Sequence, residues 1–273
     1  MHPLQSAPEA LARPLIEAAL TAPVQAQLAG IEIYPSLDST NAELLRQVMA
    51  DPSGEHYRGP LLCLAEEQTG GRGRRGRHWH SPVGANLYWS LLWRFPQQPA
   101  QLPGLSVLTA LGTAWALREL GVTGIGLKWP NDVLWHDRKL AGILLECSAS
   151  ADSTAMVAGI GLNVAMPAAT PINQAWTDLQ QILQRTVSRN TLAAALLNQI
   201  VPLYQQVAAQ HWPDLPALWA EYDRYAGQQV QLYTPHHTVH GRVQGIDQHG
   251  ALLLADDQGV HTFSSGEVSL RRL

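Results

Sequence analysis

The chain has 273 residues, 46% of them hydrophobic and 15% charged, with a formal net charge of −4 at pH 7. That length accommodates one sizeable core plus a small second one without disulfide or metal staples. No apolar run reaches the roughly 20 residues of a membrane span, no basic-then-apolar leader opens the chain, and the acidic balance argues against a dedicated nucleic-acid binder.

In chain order, residues 1–30 hold four prolines (Pro3, Pro8, Pro14, Pro23) and read as an extension too short for its own core, with a helix near 13–20. It leaves no room for a separate DNA-binding helical domain. A strand is predicted at 31–34. Asp38-Ser39-Thr40-Asn41 then leads into an amphipathic helix through Met49, and Thr40 with Glu43 has the spacing of a capping box. A short apolar strand follows at 62–66. Residues 68–82 carry four glycines and no apolar periodicity, so they read as a loop. Alternation with aromatic residues predicts a strand at 86–93, and three- and four-residue apolar spacing predicts a helix at 105–120. Strands are expected at 126–129, 139–147 and 155–164, then a helix-rich stretch over 191–225. Beyond Gly227, short strands at 229–233, 238–247, 251–256 and 261–263 alternate with turn signals, the pattern of a small antiparallel barrel of about 45 residues. The expected organisation is an extension over 1–30, a catalytic domain over 31–226 and a barrel over 227–273. Cys63 and Cys147 both sit in apolar strand-like runs and are expected to be buried free thiols, as in a reducing cytoplasm.

The basic residues are unevenly placed. Sixteen of eighteen are arginine, four of them (Arg72, Arg74, Arg75, Arg77) lie within six positions, and Lys128 and Lys139 are the chain's two lysines. The run 70–77 couples flexible backbone with permanent positive charge, which suits gripping a carboxylate or phosphate. Four like charges so close repel, so a lid that orders on an anion is the natural reading. Taken alone, the string fits an RGG-type nucleic-acid segment equally well. It is not a phosphate-binding P-loop, because Arg77 and His78 follow Gly76 where that motif needs Lys and Ser or Thr.

Three further segments carry polar chemistry. Lys128-Trp129-Pro130-Asn131-Asp132 reads as a strand ending in a tight turn, a plain turn or a strand-mouth site. Lys139 opens an apolar strand in which Gly142 leaves space; alone it reads as a snorkelling surface lysine, with the arginine loop as a phosphate group. Alternating glycines in Gly159-Ile160-Gly161-Leu162-Asn163 weaken a strand, which points to a ligand or backbone packed close by.

These segments, in this order, resemble the bacterial biotin protein ligases over about residues 31–271. The motifs are Asp38–Asn41, Gln68 with Gly71–Arg77 and Trp79, Lys128–Asp132, Arg138–Glu146 and Gly159–Asn163. The resemblance implies an α+β fold: a mixed-sheet biotin/lipoate-ligase-type catalytic domain, helices on one side, with a C-terminal SH3-like β-barrel. It implies ATP and biotin as substrates with Mg²⁺, and transfer to a lysine of the biotin carboxyl carrier protein of acetyl-CoA carboxylase. No DNA or membrane partner is expected, and the protein would be a cytoplasmic monomer or homodimer.

Roles follow position by position from the same resemblance. Ser39, Thr40, Asn41 and Gln68 match positions around the ureido ring of biotin, with Gly73 and Gly142 in the same binding set. Arg72 and Arg74 match loop residues on the biotin carboxylate and adenylate phosphate, and Lys139 the lysine beside both; these three are the expected catalytic residues. Arg74, Arg77, Trp79, Asn131, Asp132, Asn163 and Trp176 fall on the ATP side, with Asp132 and Asn163 as the Mg²⁺ candidates. Glu267 and Arg271 match barrel positions facing the site. Two rivals stay open: a biotin-sensing transcriptional regulator, which needs a DNA-binding element, and a lipoate ligase, which lacks the glycine-arginine loop and the barrel.

Overall fold

A computed structural model describes residues 9–57, 59–150, 153–168, 170–234, 237–264 and 269–272. Seven strands form the first sheet: β1 (Gly30–Tyr34), β2 (Leu61–Ala65), β3 (Leu87–Phe95), β4 (Ile125–Lys128), β5 (Asp132–Trp135), β6 (Arg138–Ala149) and β7 (Thr154–Leu162). Their order is β1-β2-β3-β7-β6-β5-β4, with β1 and β2 parallel and the remaining neighbours antiparallel.

Strand alternation divides this sheet into two faces. Leu87, Trp89, Leu91, Trp93 and Phe95 of β3 point into the main core, against α4 (Leu105–Glu119) and α6 (Arg189–Ala208). Trp93 and Phe95 meet Tyr204 of α6 at centroid distances of 5.8 and 5.4 Å. The opposite face of β2, β3 and β7 gives Leu61, Cys63, Leu92, Ala155 and Val157 to a smaller core under Leu44 and Val48 of α3 (Thr40–Ala50). Helices therefore cover both faces, not the one side expected, because β2 is apolar at every position and needs cover twice.

Other departures have local causes. The N-terminal helix ends early, as α1 (Arg13–Glu17), and a second, α2 (Ala22–Gln27), starts at a proline-permitted first turn. Asp132 belongs to a strand, β5; the tight turn lies before it, where Asn131 N–H bonds Lys128 O at 3.2 Å. The cap of α3 is Ser39, whose hydroxyl accepts from Ala42 N–H, so the Thr40–Glu43 capping box does not form. Cys63 is buried, but Cys147 is exposed. The β5 ladder on β6 ends at Gly142, Asn131 and Asn41 bond the edge at Ile143 and Leu144, and Cys147 lies beyond them where β6 has no second strand among the described residues.

Two short helices, α5 (Leu179–Leu183) and α7 (Leu215–Ala220), flank α6, and the chain then enters a five-stranded antiparallel sheet. Its strands are β8 (Gln229–Tyr233), β9 (Thr238–Ile246), β10 (Leu252–Asp256), β11 (Gly259–Phe263) and β12 (Ser269–Arg272), ordered β11-β10-β9-β8-β12. The sequence pattern did not mark the last of these. The barrel is tied to the first sheet: Trp129 Nε1 donates to Gly250 O at 3.0 Å, and Leu127 N–H bonds Tyr222 O in the linker at 2.7 Å.

The N-terminal arm is bolted to α6 by the buried Arg189 guanidinium and by the Asn190 amide, which accepts from Ala12 N–H at 2.8 Å and donates to Ala10 O at 3.0 Å. Arg189 is 3% exposed; it donates to Glu66 Oε2 at 2.6 Å and to Glu9 O at 2.7 Å, while Leu11 N–H donates to Glu66 Oε1 at 2.7 Å. Replacing it with an apolar residue leaves Glu66 without its cation beside a buried core. Arg189→Met is expected to lower the unfolding free energy by about 3 kcal/mol, read from the midpoint of urea denaturation.

Candidate active site

The face carrying α3 becomes a cavity beyond the helix N-terminus, because the sheet there carries glycine at 142, 159 and 161. Register pairs Gly142 with Gly161, and Gly159 with both Ser90 and Leu144. A Cβ on Gly161 would lie 2.3 Å from the Trp79 indole, and one on Gly159 would lie 2.3 Å from Asn41 Oδ1. Trp79 and Asn41 thus pack on bare backbone, and that contact explains the glycine alternation in β7. The cavity has a volume of about 800 Å³.

One end is neutral and hydrogen-bonding. Thr40 N–H donates to Gln68 Oε1 at 2.9 Å, and Gln68 Nε2 donates to Ser81 Oγ at 3.1 Å. Thr40 Oγ1 and Ser90 Oγ are 2.7 Å apart, and Ser90 Oγ donates to Asn41 Oδ1, also at 2.7 Å. Asn41 Nδ2 donates to Leu144 O at 3.1 Å and to Glu146 Oε2 at 2.9 Å. This chain fixes polarity. The single Ser90 hydrogen goes to Asn41, so the Thr40 hydrogen goes to Ser90 or to Gln68 Oε1 at 3.2 Å, and either way Thr40 Oγ1 is left an acceptor toward the cavity. Ser39, Thr40, Asn41 and Gln68 all line this end, as expected from the sequence. Ser90 was not singled out; its signal is a lone hydroxyl on the apolar strand Leu87–Phe95.

The other end is cationic. The loop folds back as a hairpin, with Trp79 N–H on Gly71 O at 2.9 Å and Gly73 N–H on Arg77 O at 2.7 Å. Its tip turns through left-handed backbone at Arg75 (φ 58) and Gly76 (φ 68). Arg72 donates to Glu146 Oε2 at 3.1 Å, and Arg74 reaches Asn131 Oδ1 at 3.4 Å. Lys139 Nζ stands 2.6 Å from Asp132 Oδ1 and 5.4 Å from the Trp79 ring centroid. Arg72, Gly73, Arg74, Arg77, Trp79, Asn131, Asp132, Lys139 and Gly142 all line the cavity, with Lys128 and Arg271 completing the cluster. Burial pushes the Lys128 ammonium below its ordinary pKa; Asp132 opposes this, while Lys139, Arg271 and Arg77 add to it. Burial likewise lowers the Arg74 guanidinium, with Asp132 opposing. Several cations thus share one nearby carboxylate, an arrangement that an incoming anion relieves.

Asn163 lines the cavity at 2% exposure; its Nδ2 donates to Thr177 O at 3.1 Å, but its Oδ1 is buried without a partner. Trp176 lines the same side, on a segment bridged to Lys139, whose N–H bonds Ala175 O at 2.9 Å. Glu267 lies outside the described residues. Among the described residues, no group of three His, Cys, Asp or Glu side chains could hold a metal ion, and no helix is long and apolar enough to cross a membrane.

The sequence profile of the Biotin/lipoate A/B protein ligase family matches residues 35–163, and that of the Biotin protein ligase C terminal domain matches residues 225–271. The chain is 38% identical over 244 residues to the "Bifunctional ligase/repressor BirA" of Escherichia coli K12, covering 88% of this chain and 74% of the relative. It is 34% identical over 241 residues to the "Biotin--[acetyl-CoA-carboxylase] ligase" of Paracoccus denitrificans, covering 85% and 96%. The structure superposes on the biotin protein ligase from Aquifex aeolicus in complex with biotin and ATP with a TM-score of 0.75, at 27% identity, covering 89% of this chain and 99% of that one. With both of its domains matched in order and relatives this similar over most of their length, the chain belongs to the biotin protein ligase family.

Proposed function

We propose that this chain activates biotin with ATP to biotinyl-5′-AMP and then transfers biotin to a lysine of the biotin carboxyl carrier protein of acetyl-CoA carboxylase, in the cytoplasm. The observation that carries this reading is one cavity with a neutral array of hydroxyls and amides at one end and a cluster of arginines and lysines at the other. Biotin has that polarity: an uncharged ureido ring and a carboxylate tail. Thr40 Oγ1 can accept a ureido N–H, and the Ser39 hydroxyl, which lines the same end, can donate to the ureido oxygen. Arg72, Arg74, Lys128 and Lys139 then face the carboxylate and the ATP phosphates.

The chemistry asks mainly for positioning and charge neutralisation. A biotin carboxylate oxygen attacks the α-phosphorus and pyrophosphate leaves; two anions must approach, and the cationic end offsets their repulsion. A neutral carrier amine then attacks the acyl carbon, an amide forms and AMP departs. The chain supplies no nucleophile. Asn163 Oδ1, buried and unpartnered, suits the exocyclic amine of adenine or a cation. Mg²⁺ would neutralise phosphate charge, and Asp132 and Asn163, both on the cavity wall, are the residues that would hold it beside phosphate oxygens and water.

Lys139→Ala is expected to slow adenylate formation on the order of a hundredfold, by removing one preorganised charge. Pyrophosphate release at the wild-type rate in a single-turnover experiment would exclude that role. Lipoate leaves the hydroxyl array unpaired, since its dithiolane ring makes no comparable hydrogen bonds, so calorimetric titration should favour biotin by roughly a thousandfold or more. The direct test is incubation with ATP, Mg²⁺, biotin and a biotin carboxyl carrier domain; a carrier without the biotinyl mass shift refutes the proposal.

A further inference from the structure

Glu146 is absent from the cavity wall, yet its one oxygen, Oε2, joins both ends of the site. It accepts from Asn41 Nδ2 at 2.9 Å and from Arg72 of the loop at 3.1 Å. Thr40, Ser90, Asn41, Glu146 and Arg72 therefore form an unbroken relay from the neutral end to the arginine loop.

The direction of that relay depends on the carboxylate. An amide can sit either way round, and its neighbours decide. Glu146 accepts only, so it holds the Asn41 NH₂ group outward and turns Oδ1 toward Ser90. Without it, Asn41 Nδ2 keeps one acceptor, Leu144 O at 3.1 Å. With the amide turned over, Asn41 would donate to Ser90, Ser90 would donate to Thr40 while the Thr40 hydrogen stays on Gln68 Oε1, and one Thr40 Oγ1 lone pair open to the cavity would be taken up. Asn41 cannot escape sideways, because it packs on Gly159. A surface ion pair has no such consequence.

We propose that Glu146 is a positioning residue that couples recognition of a ureido-type ring to the seat of the glycine-arginine loop. It sets the acceptor polarity of Thr40 through Asn41 and Ser90 while anchoring the loop through Arg72. This rests on the biotin ligase reading and assigns that site a residue outside its wall.

The test compares wild type with Glu146→Ala and Glu146→Gln in pyrophosphate release, varying biotin and ATP separately. A second readout is tryptic cleavage at the loop arginines with and without biotin. Glu146→Ala should raise KM for biotin about tenfold, the scale of one hydrogen bond to a charged group, with KM for ATP within about twofold and an unchanged melting temperature. Biotin alone should protect the wild-type loop, and Glu146→Ala should lose that protection. Glu146→Gln keeps an acceptor and should fall between the two; it also serves as the probe if the alanine variant fails to fold. An unchanged KM for biotin, or equal rises for both substrates, overturns the coupling. A wild-type chain that releases no pyrophosphate with biotin and ATP overturns the ligase reading itself, and the coupling with it.

Discussion

Across β3, β7 and β6 the central sheet is stripped of side chains at Gly142, Gly159 and Gly161, and the whole site is arranged around that bare patch. Backbone without Cβ atoms lets Asn41 lie against Gly159 and the Trp79 indole against Gly161, closer than any side chain would permit. Asn41 brings the N-terminus of α3 over the sheet, and Trp79 brings the outgoing limb of the arginine loop beside Lys139. A single methyl group at either glycine would separate elements that are far apart in sequence.

Electrostatics follow from the same placement. The loop, the β4–β5 turn, the start of β6 and the barrel each send cations to one end of the cavity, where Asp132 pairs with Lys139 and Glu146 with Arg72. Burial lowers the Lys128 and Arg74 pKa values, so the empty site holds its charges at a cost that a phosphate or carboxylate would offset. The neutral end lacks that tension, since its hydrogen bonds close among Gln68, Thr40, Ser90 and Asn41. Glu146 is where the two regimes meet.

Behind the site, Arg189 joins the N-terminal arm to Glu66, two residues from Gln68, and also reaches Asn86 O at 3.4 Å. The Asn86 side chain accepts from Val164 N–H at 2.9 Å, next to Asn163. The neutral wall and the Asn163 wall are thus braced by one buried guanidinium, with Glu9 and Leu11 closing it from outside. On the far side the barrel contributes Arg271, stacked over Tyr233 at 5.4 Å, to the cavity mouth.

Much of this was legible in the chain itself, because it depends on local pattern. Alternation marked β3, three- and four-residue spacing marked α4, and glycine with arginine marked the loop. The paired glycines of β7 announced a close approach, and the residues given biotin, ATP or catalytic roles by the resemblance line one cavity, as does Arg271, while Glu267 lies outside the described residues. Other features had no local signal. Thr40 and Glu43 have capping-box spacing, yet Ser39 caps the helix, because Thr40 is drawn to Gln68 and Ser90 across the sheet. Cys147 sits in an apolar run but beyond the end of the β5 ladder, since the reach of β5 along β6 is a matter of ladder register. Ser90 and Glu146 gained their places only when strands distant in sequence were brought into register. The sequence alone determined which chemical groups were available and which segments were strands, helices or loops, since those rest on periodicity and backbone preference. The tertiary structure alone decided which groups meet and which way each hydrogen bond points, since both depend on partners distant in the chain.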